Sequence, residues 1–428
     1  MSNSIRKAVS VILKYKDEVF FVQRQNHLRA FPGYTAFPGG KQDRTDSDLI
    51  ETVKREVEEE LKYLIKDDAL ITLLAKATSP DFNPVRFETY FYLIELNIKP
   101  HFEVDENEVF LHDWQNPRRI LEFYQAGQIL LISPIKKILE KLLERNLEYV
   151  DFDLNRFDKL LVPTIETIFG LKQIMPLSST ILPATRTNAF LLGDNEKVLI
   201  DPSPKNHDEY LKFLKTVQTE NIQTILISHH HGDHHQFAPQ MARELSVPIK
   251  ISEDSYKRIL TKDSQYFDQV EIVFLKDKDF LVDWIGKKVR VYSIPGHDEG
   301  HFGFAPDSME WFIVGDLFQG VGTVVVGGAE GDMIKYMQSL RQIVELKPKC
   351  VIPSHGIALG GTKILEKTLK HRLLRETQIL ELLKNNKTID EILDIIYFNI
   401  PVGVLKYARA NIIAHIDKLE TEGFLLKD

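Results

Sequence analysis

Residues 224–235 run TILISHHHGDHH, a short apolar segment that gives way to five histidines and an aspartate. The segment predicts a buried strand ending near Ser228. On an extended chain, side chains two apart share a side, so His229 and His231 can reach one metal ion. A turn at Gly232 then aims Asp233 and His234 at a second ion close by. Four ligands this near one another cannot complete two tetrahedral shells, so further ligands must come from elsewhere. Three candidates follow other predicted strands: His297 after VRVYSIPG, Asp316 after WFIVG and His355 after CVIPS. Imidazole with carboxylate favours zinc, with iron or manganese as alternatives. Two such ions about 3.5 Å apart share a water and bring its pKa toward neutrality, and the hydroxide formed attacks a carbonyl or phosphorus. His230 and His235 are expected to be bystanders. His301 is expected either to line the pocket or to be structural.

Around this segment, residues 151–360 alternate predicted strands with helices and loops. The strands include NAFLLG, KVLID, TILISH, VRVYSIPG, WFIVGD and CVIPSH. Several are continuous apolar runs, as in strands covered on both faces. Chemistry-capable residues follow their carboxyl ends, where layered α/β folds bind ligands. This set resembles the metallo-β-lactamase superfamily over the whole block. The resemblance implies an αββα sandwich and hydrolysis, with zinc held by His229, His231 and His297 and a second zinc by Asp233, His234 and His355. It also implies Asp316 as the bridge and Asp233 as a catalytic carboxylate. Asp201, ending KVLID, would fix the ligand loop from behind the metals.

The block 1–150 carries a second constellation. A predicted strand pair, AVSVILKYKDEVFFVQRQ, turns at Lys16–Glu18 and precedes the loop FPGYTAFPGG. A charged helix is predicted from about Ser47 to Leu64, followed by the strand ETYFYLIEL and the helix PIKKILEKLLERN. On the charged helix, Glu56, Glu59 and Glu60 lie three and four apart and share one face. Like charges so close repel unless a cation compensates, and magnesium or manganese is the natural oxygen-loving partner. Such charged runs are also common as solvated helix faces. Gly39-Gly40 lets backbone approach a diphosphate closely. The stretch resembles the Nudix box, with Arg55, Glu56, Glu59 and Glu60 matching its Arg-Glu-x-x-Glu-Glu core. That resemblance implies an α/β/α sandwich, substrate contacts at Gly39, Gly40 and Arg55, and Glu59 as the catalytic carboxylate. It departs from the family in two places. The spacing from Gly40 to Arg55 is one residue longer, and Lys62 stands where a glycine ends the helix. A left-handed lysine costs about 1 kcal/mol, so the chain is expected to take another path there. Arg24, Asp43, Asp46, Asp48 and the stretch Val85–Thr89 resemble the coenzyme A diphosphatase branch.

The block 361–428 is helical, with a capping box from Thr388 to Glu391 and an amphipathic helix over Leu405–Leu419 stopped near Gly423. Two helices and a terminal FLLKD strand predict a winged-helix-like tail. With the lactamase block it resembles the β-lactamase-like protein 2 branch, in which endoribonuclease activity on single-stranded RNA is known. Lys363, Lys367, Lys370, Arg372 and Arg375 form a basic stretch that can steer phosphates, with Arg372 as the candidate RNA contact. The tail's 11 basic and 10 acidic residues fit a packed, solvated helix pair equally well.

Composition bounds the whole. The 428 residues exceed one ordinary core, and the 43% hydrophobic and 27% charged content excludes a disordered or fibrous protein. The lone Cys350 excludes a disulfide framework and a cysteine-based zinc site. A net charge of -8 argues against a general nucleic-acid coat. No apolar run is long enough to span a bilayer, and the amino terminus lacks a signal-peptide pattern, so a cytoplasmic protein without membrane contact is expected. The sequence therefore predicts a multidomain α/β metal-dependent hydrolase with two competing substrate classes. In one, both sites act on a small nucleotide or acyl-coenzyme A, cleaving a diphosphate and a thioester. In the other, the zinc site cuts RNA and the amino-terminal block is a nucleotide-sensing module. Protein partners are not legible.

Overall fold

The computed structural model describes residues 5–80, 86–145, 147–153 and 160–425. The chain divides into two compact units, residues 1–159 with 165–169, and residues 160–164 with 170–428.

In the first unit the strands Arg6–Tyr15 and Glu18–Arg24 form an antiparallel hairpin. Arg6–Tyr15 also pairs in parallel with Phe87–Glu95, in register from Arg6↔Phe87 to Lys14↔Glu95. Alternation sorts the side chains onto two faces. Val9, Val11, Leu13, Phe20 and Val22 pack with Val53, Val57 and Leu61 of the helix Leu49–Leu61. Ile12, Val19 and Phe21 pack with Ile120 and Tyr124 of the helix Pro117–Gln125 and with Ile135, Ile138 and Leu139 of Ser133–Leu143. The result is an α/β/α sandwich. Asp48 starts the charged helix by accepting from the Glu51 N–H at 2.8 Å. Contrary to expectation, Lys62 does end it in the left-handed region (φ 51), its N–H still reaching Glu58 O at 3.0 Å. A further strand, Val150–Asp153, runs parallel to Ile71–Thr78 at the end of this unit.

The second unit has two sheets. One orders Ile272–Phe274, Ile249–Ile251, Ile222–Leu226, Lys197–Ile200, Ala189–Leu192 and Leu171–Ile174. The other orders Phe280–Trp284, Lys287–Ser293, Phe302–Pro306, Phe312–Gly315, Cys350–Pro353 and Leu359–Gly360. Tyr210, Phe213 and Met241 cover the first sheet from its helical side. Met333, Tyr336, Met337, Leu340 and Ile343 of the helix Met333–Leu346 cover the second. Between the sheets, Asn188 N–H donates to Ser354 O (2.7 Å) and Phe302 N–H to Ser228 O (3.0 Å). This is the four-layered αββα arrangement.

The tail consists of helices Lys363–Lys384, Ile389–Ile396 and Leu405–Thr421, joined around Ile379, Ile392, Ala408 and Ile412. The Thr388–Glu391 capping box forms. Leu365 and Ala414 join the core under the second sheet, which ties the tail to the lactamase-like fold. Of the expected FLLKD strand, Phe424 and Leu425 are not in a strand, and 426–428 lie outside the described residues. Among the described residues, no helix is long and apolar enough to cross a membrane.

Candidate metal centre and carboxylate helix

Every central site residue leaves the carboxyl end of a strand. The strand Ile222–Leu226 delivers His229 to His234, and Lys197–Ile200 delivers Asp201. Lys287–Ser293, Phe312–Gly315 and Cys350–Pro353 deliver His297, Asp316 and His355. His229 Nε2 and His297 Nε2 each lie 3.0 Å from His231 Nδ1. Ligands around a tetrahedral ion stand about 3.3 Å apart, so this triad is close to ligating geometry. Beside it, His355 Nε2 lies 3.6 Å from Asp233 Oδ2 and 3.3 Å from Asp316 Oδ1, and His234 Nε2 lies 3.9 Å from Asp233 Oδ2. Asp316 Oδ2 is 3.7 Å from His234 Nε2 and 3.8 Å from His297 Nε2. One carboxylate thus stands between the two groups. His229–His231–His297, His229–His234–Asp316 and Asp233–His234–His355 can each hold a metal ion.

The outward nitrogen of each of these histidines is engaged. His234 Nδ1 is 2.8 Å from Asp201 Oδ2, and His229 Nδ1 is 3.0 Å from Ser228 Oγ, which itself donates to Asp201 Oδ2 at 2.6 Å. His297 Nδ1 faces Val325 O (2.8 Å), His355 Nδ1 faces Arg186 O (2.9 Å) and His231 Nε2 faces Glu330 Oε2 (3.1 Å). A carbonyl or carboxylate accepts, so the proton sits on the outward nitrogen and the lone pair points inward. Inside, His234 Nε2, His355 Nε2 and Asp316 Oδ1 are buried with no hydrogen-bond partner among the described residues. Orphaned buried acceptors of this kind fit a cation.

Electrostatics agrees with that fit. Burial and the neighbouring imidazoles hold His229 well below the ordinary imidazole value, which keeps its lone pair available. Burial and His231 lower His297 to about 4. Burial would lower His234 too, but Asp233, Asp316 and Asp201 outweigh it and raise it well above the ordinary value. Without a cation, His234 therefore takes up a proton against Asp233, Asp316 and Asp201, the positive charge that a bound metal ion would supply in its place.

His235 is structural, bonding Tyr266 Oη and His230 O. His230 is not a bystander: it lies buried between Asp298 and Glu330, its Nε2 3.0 Å from Glu330 Oε1. His301 is fully buried, its Nε2 accepting from Asp316 N–H (3.3 Å), so it does not present a substrate surface. Arg372 is also buried, and it spends its guanidinium on Val324 O and Asn411 Oδ1. Its expected contact with substrate is therefore replaced by an internal one. Ser228, Asp298 and Glu330 were not singled out from sequence. Glu330 sits in the glycine-rich loop GGAEGD, which carries no period or motif.

In the first unit, Glu56 and Glu60 are buried beside Gly39-Gly40. Gly39 N–H donates to Glu60 Oε2 at 3.2 Å, and a Cβ on Gly40 would lie 2.4 Å from Glu56 Oε2. Burial pushes Glu56 up to about 7 and, with the charge of Glu56, Glu60 up to about 8. The charge of Glu108, a neighbour the sequence did not reveal, is a smaller contribution to both shifts. This buried pair is suited to a divalent cation. Glu59 departs from the expected shared face, with its side chain 59% exposed and paired to Arg55 Nη1 at 2.8 Å. Arg55 grips both Asp46 oxygens at 3.0 Å and also meets Glu56 and Lys41 O, so it braces the loop rather than awaiting substrate. Val85, part of the expected coenzyme A diphosphatase pattern, lies outside the described residues.

A four-layered fold with paired metal-binding groups at its strand ends defines a metal-dependent hydrolase, and the chain belongs to the metallo-β-lactamase superfamily, with a NUDIX domain ahead of that fold. The family models match as metallo-beta-lactamase superfamily over residues 182–355, NUDIX domain over 4–131 and beta-lactamase associated winged helix domain over 388–426. The chain is 30% identical over 246 residues to a Beta-lactamase-like protein 2 homolog of Caenorhabditis elegans, covering 55% of this chain and 79% of that one. It is 27% identical to an Atrochrysone carboxyl ACP thioesterase of Aspergillus fumigatus, covering 46% of this chain and 60% of that one. A Beta-lactamase domain protein from Burkholderia ambifaria shares the fold, with a TM-score of 0.53 and 17% identity over 62% of this chain and 90% of that one.

Proposed function

We propose that the central site holds two zinc ions and hydrolyses the thioester of an acyl-coenzyme A. The NUDIX site would cleave the diphosphate of the same class of molecule with magnesium or manganese. The observation that carries this reading is that five histidines each set one ring nitrogen against an outward hydrogen-bond partner and turn the other inward toward the shared centre. His229, His231 and His297 would hold one ion, and Asp233, His234 and His355 the other, with Asp316 between them. A bound pair of ions supplies an activated water and polarises the oxygen under attack. The chain's own part is positioning. Asp201 holds His234 directly and His229 through Ser228, and Thr187 Oγ1 lies 3.2 Å from Asp233 Oδ2. In the first unit Glu56 and Glu60 would hold the cation, with Glu59 as the outermost carboxylate.

The thioesterase named among the relatives favours a thioester over RNA. So does the burial of Arg372, which removes one expected phosphate contact, and the pairing of Lys363 with Glu366 at 3.1 Å. The test is incubation of the metal-loaded protein with a medium-chain acyl-coenzyme A and identification of products by mass spectrometry. Free acid with intact coenzyme A credits the central site, and acyl phosphopantetheine with adenosine bisphosphate credits the NUDIX site. Absence of both products would refute the acyl-coenzyme A reading and favour single-stranded RNA, with the NUDIX domain as a nucleotide sensor.

A further inference from the structure

The segment between Asp316 and the helix Met333–Leu346 runs past the first histidine triad and touches two of its three members. Val325 O takes the outward nitrogen of His297, and Glu330 takes the outward nitrogen of His231. Glu330 reaches His230 with its other oxygen, at 3.0 Å. The same segment is gripped from the far side by the tail. Arg372 Nη2 donates to Val324 O at 2.7 Å, and Asn411 Oδ1 accepts from Val326 N–H at 2.9 Å. Arg372 Nη1 also donates to that Asn411 oxygen at 3.1 Å, which ties the two anchors together. Val325, whose carbonyl orients His297, is thus fixed on both sides by buried groups from the helices Lys363–Lys384 and Leu405–Thr421. At Gly327 (φ +145) the backbone passes so close to the tail that a Cβ would lie 2.4 Å from Ala410 O.

We propose that Val324–Glu330 is a strap that holds His297 and His231 in ligating geometry, and that Arg372 and Asn411 are positioning residues that hold the strap. The winged-helix tail is then part of the first metal group and not a separable appendage. A strap without anchors lets the Val325 carbonyl drift, so the His297 ring loses its orientation and its fixed tautomer. Losing an outer partner of a ligating histidine typically weakens metal binding about 10–100-fold. This inference rests on the reading that His229, His231 and His297 hold a metal ion.

Chelator competition with Zn2+ on the full chain tests it. His297→Ala and His355→Ala first assign the two binding constants, because each removes one ligand group. Asn411→Ala and Glu330→Ala are expected to weaken the constant assigned to the His297 group about 10–100-fold and to leave the other within about twofold. Ile392→Val, which loosens the tail core without touching the strap, is expected to leave both constants unchanged. Arg372→Lys keeps the buried charge and stands in for Asn411→Ala if that variant does not fold. Equal weakening of both constants, or no change in either, would overturn the strap. Failure of the wild-type chain to bind any Zn2+ would overturn the metal reading itself, and the strap with it.

Discussion

Asp201→Asn is the most informative single substitution, because one buried carboxylate serves both metal groups. Asp201 is 2% exposed and sits at φ 52, a conformation that asparagine tolerates, so the backbone is not the target. Its two oxygens accept three protons: from Ser228 N–H at 2.7 Å, from Ser228 Oγ–H at 2.6 Å and from His234 Nδ1–H at 2.8 Å. An amide offers one oxygen and one NH2 group. If the oxygen keeps Ser228 N–H, the NH2 group meets two donors. Serine can rotate its hydroxyl, but His234 can only move its proton to Nε2, the nitrogen turned toward Asp233 and Asp316. The chain through Ser228 to His229 is disturbed in the same step. A disrupted outer partner lowers metal affinity about 10–100-fold, which is about 1.4–2.7 kcal/mol. Zinc content after dialysis against graded chelator measures the loss, with circular dichroism to confirm the fold. Unchanged affinity in Asp201→Asn would refute the argument that tautomer control assembles this site.

Other expectations are more local. Gly40→Ala places a methyl 2.4 Å from Glu56 Oε2, so it should abolish diphosphate cleavage and spare the central site; product analysis on one substrate separates the two. Glu56 and Glu60 keep protons in the fold, up to about 7 and about 8, that the unfolded chain releases near 4.5. Over that interval the folded state binds more protons, so without divalent cations the stability of the first unit should fall as pH rises from 5 to 8. Added Mg2+ should reverse the trend, and a pH-independent melting temperature would contradict it. Lys62→Gly should stabilise the first unit by about 0.5–1 kcal/mol in a urea titration, because glycine adopts the left-handed cap without the side-chain penalty.

Much of the site was legible because its signals are local. The alternation of His229 and His231 and the arrival of His297, Asp316 and His355 just after apolar strands need only short windows of sequence. The box from Thr388 to Glu391 is likewise a four-residue pattern. What escaped depends on distant closure. Glu330 and the Val325 carbonyl matter only because a loop without periodicity folds back over the ligands. Arg372 sits in a basic run that reads as a phosphate surface, yet its helix turns that one residue into the core against Val324 and Asn411. The helical spacing of Glu56, Glu59 and Glu60 suggested one shared face. Arg55 and the position of Gly39-Gly40 separate Glu59 from the other two, and neither is visible from spacing alone. The short strands Ile249–Ile251 and Ile272–Phe274 carry too few residues for alternation to declare itself.

Seven side chains from strand ends converge on a paired metal-binding centre. Its most direct test is the metal stoichiometry of the full chain, stripped with chelator and titrated with Zn2+ under inductively coupled plasma detection. Two zinc ions per chain are expected to be retained at the central site, and the number should fall when Asp316→Ala removes the carboxylate between the groups. No tightly held zinc in the wild-type chain, or an Asp316→Ala variant that retains both ions with full affinity, would contradict it.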